Sequence, residues 1–446
     1  MSTALLTDRY ELTMLDAALA SGAAERPAVF EVFARGLPPG RRYGVAAGLG
    51  RLLPALETFC FGPAELEWLA SEKFLSARAL EWLEGFSFSG TIDAYPEGEC
   101  YFPHSPVMTV EATFGEAVLL ETLVLSILNF DSAIASAASR MVDVAAGRRL
   151  VEMGSRRIHE GAAIAAARAA VLAGFSSTSN LEAGRRYGLP TAGTAAHAFT
   201  LVHDDEEAAF GVQLDALGLD TTLLVDTYDI PAGIEAAVAA ARARGAKGPG
   251  AIRLDSGELV TLAREARALL DRLGATETRI VVSSDLDEEA LANLAGAPVD
   301  VYGVGTRVVT GSGAPTAAFV YKLVAVGAAG QPRERGALRS VAKRSASKES
   351  AGGRKRAFRL LDGEGIAREE LLVLGTQATP EVPEGWTARP LQRRLVDRGV
   401  IVPVPDPAEA VRAARERLEH AKAELPSGAR TCAPGPPALF TRLVGG

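Results

Sequence analysis

Along the chain the spacing of apolar side chains changes character twice. Residues 4–21 carry a helical period, and 29–34 alternate as a strand does. Pro38, Pro39 and Gly40 mark a turn. Helical patterns follow at about 45–59, 63–71 and 76–84, and a strand-rich stretch occupies roughly 88–112. Helices followed by short strands predict an α+β segment. From about 116 an apolar helix runs to about 130 and a second to 146. Short strands then appear near 149–153, 174–177, 190–193, 222–226, 250–254, 279–283 and 299–303. Helices lie between them, those at 161–173, 232–244 and 258–273 rich in alanine. Such alternation predicts a parallel sheet, and its regularity predicts a closed or nearly closed β/α barrel. After an apolar 316–326 come a basic segment, a strand-like 370–374, a turn-rich 376–390, a charged helix over 407–425 and an extended, proline-rich end near 434–437. The expected division is therefore 1–115, an α+β domain; 116–335, the barrel; and 336–446, a C-terminal segment.

The polar residues sharpen the barrel reading, because they gather just after the strands. Gly154-Ser155-Arg156-Arg157, Thr178-Ser179-Asn180, Gly193-Thr194 leading to His197, and Asp226-Thr227-Tyr228-Asp229 are four such clusters. Arg253-Leu254-Asp255-Ser256-Gly257, Ser283-Ser284-Asp285 and Gly303-Val304-Gly305-Thr306-Arg307 complete the set. The carboxyl ends of barrel strands share one rim, where active sites are built. Helix capping accounts for Ser179, Asp285 or Ser256 individually. It does not account for arginines and a histidine in the same loops.

Composition removes several classes. With 48% hydrophobic and 23% charged residues the chain is of average globular make-up, which sets aside disorder, collagen and coiled coil. No run approaches the roughly 20 uninterrupted apolar residues of a membrane span. Asp8, Arg9 and Glu11 interrupt the amino-terminal apolar run, which does not fit a secretory signal. Cys60, Cys100 and Cys432 are widely separated, pointing to a reducing, cytoplasmic setting and away from structural zinc. A net charge of −8 argues against nucleic-acid binding. Yet Arg333 to Arg359 holds ten basic residues and only Glu334 and Glu349 as acids. With Ser345, Ser347, Gly352 and Gly353 interleaved, this stretch reads either as a solvated face or as a flexible loop clasping phosphates.

The rim residues define candidate chemistry. The Gly303-Val304-Gly305-Thr306 turn is compatible with a phosphate cradle or with a plain strand-to-helix turn. Asp255 and Asp285, at neighbouring strand tips, suit sugar hydroxyls or a phosphate-bridging magnesium ion; a salt bridge to Arg253 is the bland alternative for Asp255. His197 could be a general base, a phosphate acceptor or a structural residue, with Asp226 and Asp229 placed to orient its ring. Jointly the set fits transfer of a phosphorylated sugar onto a small anionic acceptor.

At this point several segments resemble one family. Leu-Leu-Thr-Asp-Arg-Tyr-Glu-Leu-Thr-Met over 5–14 is similar to the opening motif of nicotinate phosphoribosyltransferases. The similarity continues, in order, through the rim segments at 154–157, 178–180, 193–197, 225–229, 252–257, 284–287 and 302–306. The resemblance implies an irregular β/α barrel of the type II phosphoribosyltransferase kind, with an α+β domain formed from N- and C-terminal segments. It implies a homodimer with shared active sites, using nicotinate, phosphoribosyl pyrophosphate and ATP, with Mg2+. The products would be nicotinate mononucleotide and pyrophosphate, within NAD salvage, ATP hydrolysis being coupled through a phosphohistidine at His197.

Carried over residue by residue, Arg253 and Asp255 match the pair at the pyridine-carboxyl end and the ribose hydroxyls. Ser284 and Asp285 match a ribose-binding pair, and Gly303, Gly305 and Thr306 the 5′-phosphate loop. Tyr10 resembles a ring-stacking aromatic supplied by the partner subunit, beside Met153 and Arg156. Lys348, Lys355 and Arg356 fall in the phosphate-clasping segment, and Asp226 and Asp255 join His197 as catalytic candidates, Asp255 also as a metal contact through pyrophosphate. Ser179 stands where related nicotinamide enzymes carry an aspartate, which favours a carboxylate acceptor. Met153 departs from the family's usual phenylalanine, Glu349-Ser350-Ala351-Gly352-Gly353 from the usual Thr-x-Pro-Gly, and Glu258 from aspartate. A quinolinate phosphoribosyltransferase, or a non-catalytic nucleotide-binding relative, are the competing readings.

Overall fold

The computed structural model describes residues 2–328, 330, 338–342, 351–375, 380–431 and 435–445. The chain divides into two compact units, Met1–Ser136 with Thr316–Gly446, and Ala137–Pro315. The stretches 116–136 and 316–335, read from sequence as barrel, therefore fall with the first unit. The reason is pairing: Phe319–Val326 is not a barrel strand but runs antiparallel to Pro27–Ala34, in register from Ala34–Phe319 to Ala28–Val326.

The first unit is built on a seven-stranded sheet. Its order is Arg339–Ser340, Phe319–Val326, Pro27–Ala34, Met108–Thr113, Thr91–Ala94, Arg393–Asp397 and Val400–Ile401. A four-stranded sheet of Thr387–Pro390, Lys355–Leu361, Ala367–Leu374 and Thr441–Val444 and a two-stranded one of Gly44–Val45 with Cys100–Tyr101 belong to the same unit. Leu12, Leu15, Phe30, Val110 and Leu123 share one core with Tyr321.

The described end of the basic segment, residues 354–359, departs from the flexible-loop expectation, and Ser345 and Ser347 lie outside the described residues. Lys355–Leu361 is a strand, and its Lys355 and Arg359 face inward onto acids. Lys355, 4% exposed, pairs with Glu31 at 2.8 Å. Arg354 pairs with Asp93 and Glu111, and the fully buried Arg359 with Glu99 and Glu370. Arg356 lies over the Phe358 ring. Burial without water demands such partners for each cation, so Lys355 is a structural ion-pair residue rather than a free phosphate clasp. Lys343, Arg344 and Lys348 lie outside the described residues.

One continuous helix, Glu121–Val144, replaces the two expected between 116 and 146, after a short Phe114–Val118 turn of helix. It is long and apolar enough to cross a membrane by length and composition, but 72% of its most apolar window is buried inside the protein. That is the signature of a core helix.

The second unit carries a six-stranded, all-parallel sheet: Ser177–Thr178, Arg149–Glu152, Val301–Val304, Arg279–Ser284, Ala251–Leu254 and Thr222–Leu224. Its strands are short apolar runs, with Leu150, Ile252, Val282 and Val304 all buried, as a sheet covered on both faces requires. Alanine-rich helices such as Glu160–Leu172 pack here because small side chains allow close approach and favour helix. The expected barrel is a half-barrel. Residues 190–193 do not form a strand; only an isolated parallel bridge joins Thr191 to Thr178. Among the described residues no ladder joins Thr191 to Thr222–Leu224, and the helices His197–Leu201 and Glu206–Leu217 occupy the intervening sequence.

Candidate active site

Parallel register puts the carboxyl ends of all six strands on one edge, the place where open α/β sheets bind ligands. The polar clusters of the sequence fall there, and caps explain only some of their residues. The capping side chains in these loops are Asn180, Asp229, Glu258 and Asp287. Ser179, Asp285 and Ser256 cap nothing. Asp229, expected beside the histidine ring, instead accepts from the Ala232 N–H at 3.0 Å.

The centre of the rim is Arg253. Its Nε donates to Ser283 Oγ at 2.7 Å, Nη1 to Thr194 Oγ1 at 2.8 Å and Nη2 to Asp255 Oδ1 at 2.9 Å. Ser283, which the sequence grouped with the rim without assigning it a role, also donates to Asp255 Oδ1. The Arg253–Asp255 salt bridge thus exists, yet it leaves Asp255 Oδ2 without a hydrogen bond among the described residues. Burial alone would raise the Asp255 carboxyl, but the Ser283 and Arg253 donors outweigh it and hold it below the ordinary carboxylate range. Asp255 is therefore a firmly ionised acceptor with one oxygen available.

His197 begins the helix His197–Leu201 in the interrupted part of the ring. Its Nδ1 lies 3.2 Å from Thr227 Oγ1, and its Nε2 3.9 Å from Asp226 Oδ1. Asp226 Oδ2 accepts from the Asp255 N–H at 2.8 Å and from the Ser256 hydroxyl, whereas buried Oδ1 has no hydrogen-bond partner. An orphaned carboxylate oxygen turned toward a 41% exposed imidazole is a charge waiting for a cation. On the next strand Ser284 and Asp285 are exposed, and Arg307 Nε reaches Asp285 at 3.2 Å.

Gly303 is closely packed: a Cβ there would stand 2.8 Å from Met153 Sδ and 3.0 Å from Ser283 Cβ, so a side chain would enter only if Met153 moved. Gly305 and Thr306 follow at the start of the Thr306–Val309 helix. Arg156 is exposed in the turn closed by the Arg157 N–H to Gly154 carbonyl bond. The half-buried Ser179 donates its N–H to the Glu152 carbonyl at 2.8 Å. Tyr10 and Arg356 belong to the first unit; Tyr10 is 45% exposed on the helix Arg9–Ser21. Its hydroxyl is pushed up by burial and by the charges of Glu121 and Glu11.

Fold and rim together define a mixed α/β protein with a parallel half-barrel, whose strand ends offer an ionised carboxylate, a histidine beside a second carboxylate, and a glycine turn. Residues 5–129 match the family model described as the nicotinate phosphoribosyltransferase N-terminal domain. The chain is 56% identical to nicotinate phosphoribosyltransferase pncB1 of Mycobacterium tuberculosis, over 99% of this chain and 95% of that one. It is 39% identical to the Bacillus subtilis nicotinate phosphoribosyltransferase, over 81% and 74%. The crystal structure of human nicotinic acid phosphoribosyltransferase superposes with a TM-score of 0.80 at 28% identity, covering 98% of this chain and 97% of that one. The chain belongs to the nicotinate phosphoribosyltransferase family.

Proposed function

We propose that the protein condenses nicotinate with phosphoribosyl pyrophosphate, giving nicotinate mononucleotide and pyrophosphate for NAD salvage, and couples this to ATP hydrolysis at His197. The observation that carries the reading is the pairing of His197 with the unsatisfied Asp226 Oδ1 beside the Arg253–Asp255–Ser283 cluster. With Nδ1–H donated to Thr227 Oγ1, the Nε2 lone pair is free to attack the γ-phosphorus of ATP. The P–O bond to ADP breaks, ADP leaves with the electron pair, and the imidazolium charge is met by Asp226.

In the transfer step the pyridine nitrogen forms the bond to the anomeric carbon as the bond to pyrophosphate breaks. Positioning and neutralisation of the leaving group dominate such a displacement. Asp255, Ser284 and Asp285 take the ribose hydroxyls in this reading. The turn at Gly303, Gly305 and Thr306 takes the 5′-phosphate, and Arg156 with Ser179 the acceptor carboxylate. Among the described residues no cluster of three or more His, Cys, Asp or Glu could hold a metal ion. Magnesium therefore enters with the pyrophosphate as part of the substrate, and Asp255 Oδ2 is the carboxylate oxygen open to its shell.

The type II phosphoribosyltransferase fold and a homodimer with shared sites belong to the same proposal. Exposed Leu5, Leu6, Tyr10 and Met14 form an apolar amino-terminal run suited to cover by a second copy. The free thiols of Cys60 and Cys100 favour a cytoplasmic setting.

The test follows nicotinate mononucleotide formation from nicotinate, phosphoribosyl pyrophosphate and magnesium, with and without ATP, for wild type and His197→Ala. Wild type should respond to ATP and the variant should not. Product formation indifferent to both ATP and the histidine would overturn the coupling.

A further inference from the structure

Glu152 ends the strand Arg149–Glu152 and is fully buried. Its two carboxylate oxygens serve different loops. Oε1 accepts the Gly154 N–H, and Oε2 accepts the Thr178 hydroxyl. Its own carbonyl accepts the Ser179 N–H at 2.8 Å. The chain of bonds continues outward. Thr178 Oγ1 accepts the Asn180 N–H at 3.0 Å, and Asn180 Nδ2 donates to Ser155 Oγ at 3.0 Å. Gly154 is packed against this carboxylate: a Cβ there would lie 3.0 Å from Glu152 Oε1 and 2.2 Å from Val309 Cγ1.

No cation pairs with Glu152 among the described residues. Burial raises its carboxyl above the ordinary range, and the Thr178 and Gly154 donors offset this only in part. A carboxylate buried without a cation costs stability that a neutral residue of similar shape would not. The strand itself does not need it, since its neighbours Leu150 and Val151 supply the apolar packing. What Glu152 provides is the buried tie between two rim loops, beneath the outer Asn180–Ser155 bond.

We propose that Glu152 is a positioning residue for the acceptor, fixing the Gly154–Arg157 turn against the Thr178–Asn180 turn so that Arg156 and Ser179 present their donors in one register. The proposal rests on the transferase reading above. It predicts that the carboxylate acts on one substrate only. The groups assigned to phosphoribosyl pyrophosphate in that reading, Asp255, Ser284, Asp285 and the Gly303–Thr306 turn, take no hydrogen bond from the Glu152 side chain, whose bonds go to Gly154 and Thr178.

The experiment measures KM for nicotinate and for phosphoribosyl pyrophosphate in Glu152→Ala, Glu152→Gln and Thr178→Val, with melting temperatures alongside. Losing the Thr178–Glu152 bond between the two turns, a hydrogen bond to a charged group, should raise the nicotinate KM about tenfold in Thr178→Val, and at least as much in Glu152→Ala, which also loses the Gly154 bond. The KM for phosphoribosyl pyrophosphate should stay within about twofold of wild type. Glu152→Gln, which keeps an acceptor for the Gly154 N–H, should recover most of the loss. Should Glu152→Ala fail to fold, Thr178→Val decides alone. An active wild type combined with an unmoved nicotinate KM in Thr178→Val, or with both KM values rising together, overturns the positioning role by itself. A wild type that makes no nicotinate mononucleotide overturns the functional reading and this proposal with it.

Discussion

Arg359 offers the sharpest separation between a charge that binds substrate and a charge that holds the fold. It lies in the basic segment that invites a phosphate-binding reading, yet its guanidinium is fully buried. Nη1 donates to Glu99 Oε1 at 2.7 Å, and Nη2 donates to Glu370 Oε1 at 2.5 Å and to the Cys100 carbonyl at 2.7 Å. Arg389 bridges Glu99 to Glu424 in the same cluster. Burial would raise both carboxyls; at Glu99 the charges and donors of Arg359 and Arg389 win and hold it low, while at Glu370 burial still prevails. Among the described residues, Arg359→Met would leave Glu99 with Arg389 but Glu370 with hydroxyl neighbours, Ser105 and a long contact from Tyr95. Breaking a buried pair from one side costs about 3–5 kcal/mol, a large part of the ~5–15 kcal/mol that stabilises a typical domain. At roughly 2–4 °C per kcal/mol for a unit of this size, melting should fall by about 6–20 °C.

The partner variant makes the inference testable. Arg359→Met with Glu370→Gln removes both charges and keeps a hydrogen-bonding group beside Tyr95 and Ser105. The double variant should regain at least half of the lost melting temperature in calorimetric scans at one fixed rate, and should bind phosphoribosyl pyrophosphate with the wild-type KM. A single variant melting within about 2 °C of wild type would refute the structural account. So would a folded double variant whose phosphoribosyl pyrophosphate KM climbs, because the guanidinium would then be reaching substrate.

Two further expectations concern the acceptor and pH. Ser179→Asp places a carboxylate where the acceptor's own carboxylate is read to bind, so it should erode nicotinate use in steady-state competition with nicotinamide; unchanged partition would sink that assignment. Glu11 is fully buried and its carboxyl is pushed up to about 7 by burial, against the opposing donors of Thr122 and Thr7. From its ordinary 4.5, such a raised group stabilises the fold fully below that pH and loses its contribution as pH climbs through about 7. Glu11→Gln should therefore flatten the fall in melting temperature across that window, by up to ~3 kcal/mol in stability; parallel wild-type and variant curves would count against it.

What sequence could and could not disclose follows from where each signal is stored. The parallel strands were legible because a sheet buried on both faces writes itself as short apolar runs, as at Ile280–Val282. The rim was legible because most of its polar clusters sit at or just past the carboxyl end of a strand, the His197 cluster excepted. The failures are positions whose partners lie far away in sequence. The half-barrel's gap depends on 190–193 finding one bridge rather than a ladder. Lys355–Leu361 hid as a loop because two of its inward positions carry charge. Lys355, Ala357 and Arg359 alternate on one face, while Phe358 and Leu360 join a separate apolar cluster on the other. A hydrophobicity count sees polarity at Arg359, but its acid Glu99 stands 260 residues away. A complementary signal was nevertheless present. Glu31 interrupts an apolar strand whose every residue is buried, and Glu370 opens a run of buried Leu371, Leu372 and Val373. An acid in such a run calls for a buried cation or for hydrogen-bond donors, and the basic segment was the densest supply of cations in the chain. Reading buried acids and surplus bases as one account would have assigned Lys355 and Arg359 to the core. The rim would then have kept the charges at the carboxyl ends of the parallel strands, Arg253 and Asp255 among them.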